Sequence, residues 1–152
     1  MKTKIIGSVV VFILLLVNAS FAGYTDNGDG TIKDTTTGRV WQKCSAGQNS
    51  TDCGGTAGTY TWANAVTYCT GLILVGGGWR LPNVKELESI VDETKASSPT
   101  INTTVFPATV GDLYWSSTTY ANYTTNAWYV NFYYGSVDNY SKTNTFYVRC
   151  VR

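Results

Sequence analysis

The chain has 152 residues, eleven Lys or Arg against ten Asp or Glu, and no histidine. A balanced charge without a basic stripe argues against a nucleic-acid ligand, because phosphate binding needs clustered cations. The lack of histidine removes the commonest general base and the commonest transition-metal ligand.

Lys2 and Lys4 precede an apolar run, Ile5 to Val17, that is too short to span a bilayer comfortably, and Ser20-Phe21-Ala22 supplies small residues for a cleavage site. The expectation is a signal peptide over residues 1–22 and one mature domain over residues 23–152, exported to the periplasm, the medium or the cell surface. Loss of Lys2 and Lys4 leaves nine basic groups against ten acidic ones. No second long apolar segment follows Val17, so no membrane span is expected in the mature chain. Four cysteines, Cys44, Cys53, Cys69 and Cys150, suit two disulfides in an exported protein. Three pairings are possible. Cys44 and Cys53 bracket a Gly/Ser/Asn loop and are expected to close it, which leaves Cys69 for Cys150. The alternative is a four-thiolate zinc site, but no Cys-x-x-Cys pair is present.

Asn27-Gly28 and Asp29-Gly30 are tight-turn dipeptides, followed by strands at Thr31–Asp34 and Arg39–Lys43 around a turn at Thr37-Gly38, with Val40 or Trp41 facing in. Asp26, Asn27, Asp29 and Asp34 are also hard oxygen ligands, so calcium is a candidate cofactor, although the twelfth-position Glu of an EF-hand is missing. Cys44 to Tyr60 reads as a polar loop. Thr61 caps a helix that carries Trp62, Ala65, Val66 and Cys69 at helical spacing and ends at Gly71. Leu72 to Val75 is apolar and Gly76-Gly77-Gly78 is a corner. Asn83 with Glu86 forms a capping box, so a second helix is expected to run to about Asp92, burying Val84, Leu87 and Ile90 or Val91. Arg80, set between bulky apolar residues, reads as a structural arginine paired with a carboxylate or with carbonyls. Val105-Phe106-Pro107 plugs an apolar surface.

Leu113–Ala121, Ala127–Phe132 and Phe146–Arg152 are three strand-like runs separated by polar turns, one of them at Tyr134-Gly135-Ser136. Trp128, Val130 and Phe132 alternate with Tyr129, Asn131 and Tyr133, and Phe146, Val148 and Cys150 make the matching inner face of the last run. Trp62, Trp79, Trp115, Trp128 and Phe146 are the expected core. Tyr120, Asn122, Tyr123, Asn126, Tyr133, Tyr134, Asp138, Asn139, Tyr140 and Asn144 are the expected ligand-binding residues. Tyrosine gives rigid amphipathic contact area, and asparagine adds adaptable hydrogen bonds. No nucleophile–base pair can be named, so catalysis is not expected. Hydrolysis by two carboxylates stays formally open.

The run Trp79-Arg-Leu-Pro-Asn-Val-Lys-Glu-Leu87 completes a series. It joins Asp26-Asn-Gly-Asp-Gly-Thr31, Thr37-Gly38, Val40-Trp-Gln42, Thr61-Trp-Ala63, Tyr68-Cys69, Tyr114-Trp-Ser-Ser-Thr118 and Tyr147-Val-Arg-Cys-Val151. In this order the sequence resembles the Lcl C-terminal domain family of exported bacterial proteins across essentially the whole mature chain. The resemblance implies an α+β, C-type-lectin-like fold, similar also to the formylglycine-generating sulfatase-modifying fold. Two helices would pack on a small twisted antiparallel sheet with long loops and two disulfides, Cys69–Cys150 linking helix to strand. It implies adhesion or ligand binding, since the namesake member is an adhesin whose C-terminal domain binds host polysaccharide. The collagen-like repeats of that adhesin are missing here. So is the Glu-Pro-Asn or Gln-Pro-Asp signature of calcium-dependent sugar binding, with Leu81 standing where the ligand residue should be. The expected function is therefore non-catalytic recognition of a glycan or a surface protein through a Tyr/Asn-rich C-terminal face. An architectural protein-interaction subunit of a surface assembly is the second reading, and an enzyme of the sulfatase-modifying or glycosidase kind the third.

Overall fold

Short polar turns build the first sheet. Asp26 Oδ1 accepts from Gly28 N (2.9 Å), Asp29 Oδ1 from Thr31 N (3.0 Å), and Asp34 Oδ1 from Thr36 N (2.9 Å). Each aspartate thus folds its own turn, which is the local bonding that favours Asp and Asn at such positions. The computed structural model describes Ser20–Phe21 and residues 23–152. The rest of the expected signal peptide, including the cleavage point at Ala22, lies outside the described residues. The strands β1 (Ser20–Phe21), β2 (Tyr24–Asp26), β3 (Thr31–Asp34) and β4 (Val40–Gln42) form a four-stranded antiparallel meander in that order.

The second sheet has five strands in the order β5-β9-β6-β7-β8, with β5 Thr59–Thr61, β6 Leu113–Thr119, β7 Asn126–Asn131, β8 Ser136–Ser141 and β9 Thr145–Tyr147. All its ladders are antiparallel except β6–β9, which is parallel. Two helices accompany it, α1 (Trp62–Thr70) and α2 (Val84–Glu88). The architecture is α+β with two disulfides, Cys44–Cys53 and Cys69–Cys150. It differs from the expected single antiparallel sheet in having two sheets and one parallel pair. All four thiols are consumed, which disposes of the zinc alternative.

The middle of the five-stranded sheet, at β6 and β7, is covered on both faces. Tyr114, Val130 and Phe132 belong to one core with Ile32, Trp41, Leu87 and Phe106. Trp115, Ala127 and Val148 belong to the other, with Ala65, Cys69 and Trp79. Successive side chains of one strand therefore feed opposite cores, as the strand period of two requires. The chain after β9 joins the two sheets. Val151 bridges to both Trp41 and Arg80, and Val40 and Arg152 exchange backbone hydrogen bonds of 3.0 and 2.9 Å. Trp41 is fully buried and is the inward residue of β4, while Val40 is half-buried.

The expected core, the end of α2 and the set of strands need correction. Trp62, Trp128 and Phe146 are half-buried, whereas Trp79 and Trp115 are core. Trp62 sits at the rim of α1, its Nε1 donating to Ser116 O (2.9 Å) and its ring lying 4.2 Å from Lys142 Nζ. Trp128 and Phe146 lie where the cover of each sheet face runs out. Helix α2 stops at Glu88, short of Asp92. Ser89 Oγ turns back onto Glu86 O (2.6 Å) and Val91 leaves the helix to bridge with Ile101. Strands β1, β2, β5 and β8 are additional to the expected ones. Ser136-Val-Asp-Asn-Tyr-Ser141 carries little strand propensity, and β8 forms because its whole length pairs with β7.

Candidate ligand-binding site

The hairpin β7–β8 carries most of the expected binding residues, and its geometry separates them into groups. Asn126 begins β7 and Asn131 ends it, so the loop Tyr120–Thr125 and the turn Phe132–Gly135 lie at opposite ends, about 17 Å apart for a strand of this length. At the first end, Tyr120 stands edge-on to Trp128 (5.2 Å between centroids) and tilts toward exposed Tyr123 (6.0 Å). Asn122 Nδ2 donates to Tyr120 Oη (3.2 Å), and Asn126 Nδ2 donates to Asn139 Oδ1 (2.9 Å). Lys142 fastens this loop, its Nζ donating to Thr119 Oγ1 and Thr124 O, both at 2.9 Å. Exposed Asn144 turns its amide back onto Ser141 O (3.4 Å).

Asp138 and Tyr140 project from the opposite face of β8, in register with Tyr129 and Ala127. There Phe146 gathers Trp115, Tyr129 and Tyr140 at 4.2, 5.3 and 5.9 Å. Burial raises the Tyr129 phenol, with smaller contributions from Asp138 and Tyr140. Trp128 and Phe146, expected in the core, are half-buried, and with half-buried Tyr129 they stand beside the expected ligand residues. Asp138 Oδ1 also accepts from the backbone N of Asn139 (2.7 Å), which covers an amide of the outermost strand.

The third group is concave. Tyr133 and Tyr134, 53% and 75% exposed, meet edge-to-face at 4.7 Å. With Lys95, Ala96, Ser97, Ser98 and Thr100 they line a groove of about 440 Å³. The groove is held by backbone. Phe132 O accepts from both Thr100 N (2.7 Å) and Thr100 Oγ1 (3.0 Å), and Tyr133 N donates to Asn131 Oδ1 (2.8 Å). Gly135 has φ +74°, a conformation that favours glycine, and a Cβ there would crowd Val91 Cγ1 at 3.2 Å. The loop Lys95–Thr100 carries no strand or helix pattern, and its nearness to Tyr133 depends on the long-range Thr100–Phe132 contact. Nothing in the local sequence marks it as part of a site.

The model of the Lcl C-terminal domain family matches residues 30–152. The chain belongs to the Lcl C-terminal domain family. Among curated proteins, none shows significant similarity to this Lcl C-terminal domain. Its turn aspartates stay apart: Asp26 Oδ2 pairs with Lys43 Nζ (2.7 Å), and Asp29 and Asp34 bond within their own turns. Among the described residues, no three His, Cys, Asp or Glu side chains gather as metal ligands. Among the same residues, no helix of this Lcl C-terminal domain is long and apolar enough to cross a membrane.

Proposed function

We propose that this Lcl C-terminal domain is an exported, non-catalytic recognition module that binds a glycan through the groove at Tyr133 and Tyr134. The observation that carries the reading is the pair of adjacent, largely exposed tyrosine rings closing a concavity lined by the hydroxyl residues Ser97, Ser98 and Thr100. Flat aromatic faces offer apolar area to the C–H side of a sugar ring, while hydroxyls and Lys95 offer hydrogen bonds to its rim. Export is supported by two disulfides, the usual mark of an oxidising compartment. The lectin-like expectation is in keeping with the same placement, since the groove is formed by a late hairpin packed on a long connecting loop.

The test is a glycan-array screen of the refolded, disulfide-intact mature domain, run with calcium and with chelator. Tyr133→Ala and Tyr134→Ala should each weaken binding about tenfold or more, equal to about 1.4 kcal/mol. Tyr123→Ala, at the far end of the hairpin, should leave it within twofold. Binding should persist in chelator, because the turn aspartates are already engaged. A folded protein that binds no glycan would sink the reading and favour the architectural alternative. Loss on Tyr123→Ala alone would move the site to the other end of the hairpin.

A further inference from the structure

A second concavity borders the start of the same loop and is separate from the tyrosine groove in its chemistry. It measures about 380 Å³ and is lined by Tyr24, Ile90 and Phe106 together with Asp92 and Glu93. Its floor is apolar, with Ile90 and Phe106 only 3% and 1% exposed, and Tyr24 stands edge-on to Phe106 at 5.6 Å. Its rim is anionic. Asp92 spends one oxygen on Thr94, whose N and Oγ1 donate at 3.1 and 2.6 Å. Neither Asp92 nor Glu93 pairs with a cation among the described residues. The amine of Lys95 is turned to Thr103 Oγ1 (3.3 Å). The phenol of Tyr24 is raised by burial and then by the charges of Asp34 and Asp92, in keeping with a negative field at this wall.

We propose that this groove seats a lysine or arginine side chain of a partner polypeptide. An apolar wall ending in unpaired carboxylates matches a long aliphatic stem ending in a cation, and the Tyr24 ring adds a face for the charge. A neutral sugar would leave the carboxylates unanswered. A bare metal ion would gain nothing from the apolar floor.

Amide chemical-shift mapping on the isotope-labelled mature domain tests the proposal. The probes are a capped alanine peptide bearing one central lysine, its arginine counterpart and its norleucine counterpart. The cationic peptides should give saturable shifts at Tyr24, Val91, Glu93 and Asn102, weakened at least fivefold by Asp92→Asn with Glu93→Gln and by high salt. Tyr133→Ala should leave these shifts unchanged, which separates this groove from the glycan reading. Equal shifts with norleucine, no saturable shift, or indifference to the double variant would overturn it.

Discussion

Arg149 lies fully buried on the terminal segment with no carboxylate paired to it among the described residues. Its Nη1 donates to Lys43 O (3.0 Å), and its Nη2 to Ser45 Oγ (3.2 Å) and Thr109 Oγ1 (2.8 Å). Its guanidinium stands 4.7 Å from the Phe106 ring, and burial draws its pKa down to about 10. The planar fork satisfies three acceptors on two separate segments, which a point-charge ammonium cannot copy. Arg149→Lys should therefore cost about 2–4 kcal/mol in urea unfolding, close to the cost of Arg149→Met. Full rescue by lysine would show that charge alone matters there. Glu86 behaves in the opposite way. Its carboxylate takes both Nη atoms of Arg80 at 2.7 Å, Arg39 Nε at 3.1 Å and the backbone N of Asn83 at 2.9 Å. These contacts, Arg80 first, hold its pKa at about 2, below the ordinary 4.5. A lowered folded pKa contributes stability above the unfolded value and loses it as pH falls from about 4.5 toward 2. Glu86→Gln should flatten the pH dependence of Tm across that window. The pairing of Arg80 with a carboxylate or carbonyls was legible from its bulky apolar neighbours. The burial of Arg149 was not, because its partners lie about 100 residues upstream or on an irregular loop.

At the scale of elements, Cys69 on α1 and Cys150 after β9 close a span of 81 residues. The chain-entropy argument makes such a long link worth about 4 kcal/mol. Replacing both cysteines by serine should lower Tm substantially while leaving the Cys44–Cys53 loop intact, which mass spectrometry of the alkylated protein would verify. An unchanged Tm would show that packing of α1 already suffices. Elements with strong local codes were readable: the Asx turns, the Thr61 cap, and the alternation of β7. Those set by partners were not. β8 needs β7, and the end of α2 is decided by Val91 pairing with Ile101. The same limit governs the candidate site. Tyr133 and Tyr134 could be picked out by residue type, but their groove depends on Thr100 reaching Phe132.

For the molecule as a whole, the two sheets and α1 meet on residues 148–152. Ala46 N donates to Val148 O (2.9 Å), Gln42 N to Cys150 O (2.9 Å), and Val151 and Arg80 exchange both backbone bonds at 2.9 Å. Deleting residues 148–152 removes Arg149, the long disulfide and both bridges together. The truncated chain should lose near-UV circular dichroism and show no cooperative melt. A cooperative transition in that chain would mean that either sheet folds by itself.

That seam also sets an order of events in time. Residues 148–152 are synthesised after every partner they join, and those partners lie far back along the chain. Contacts of such separation form late and slowly, because loop closure must be met before they reward it. Until residues 148–152 have been made, the two sheets and α1 lack the segment that joins them.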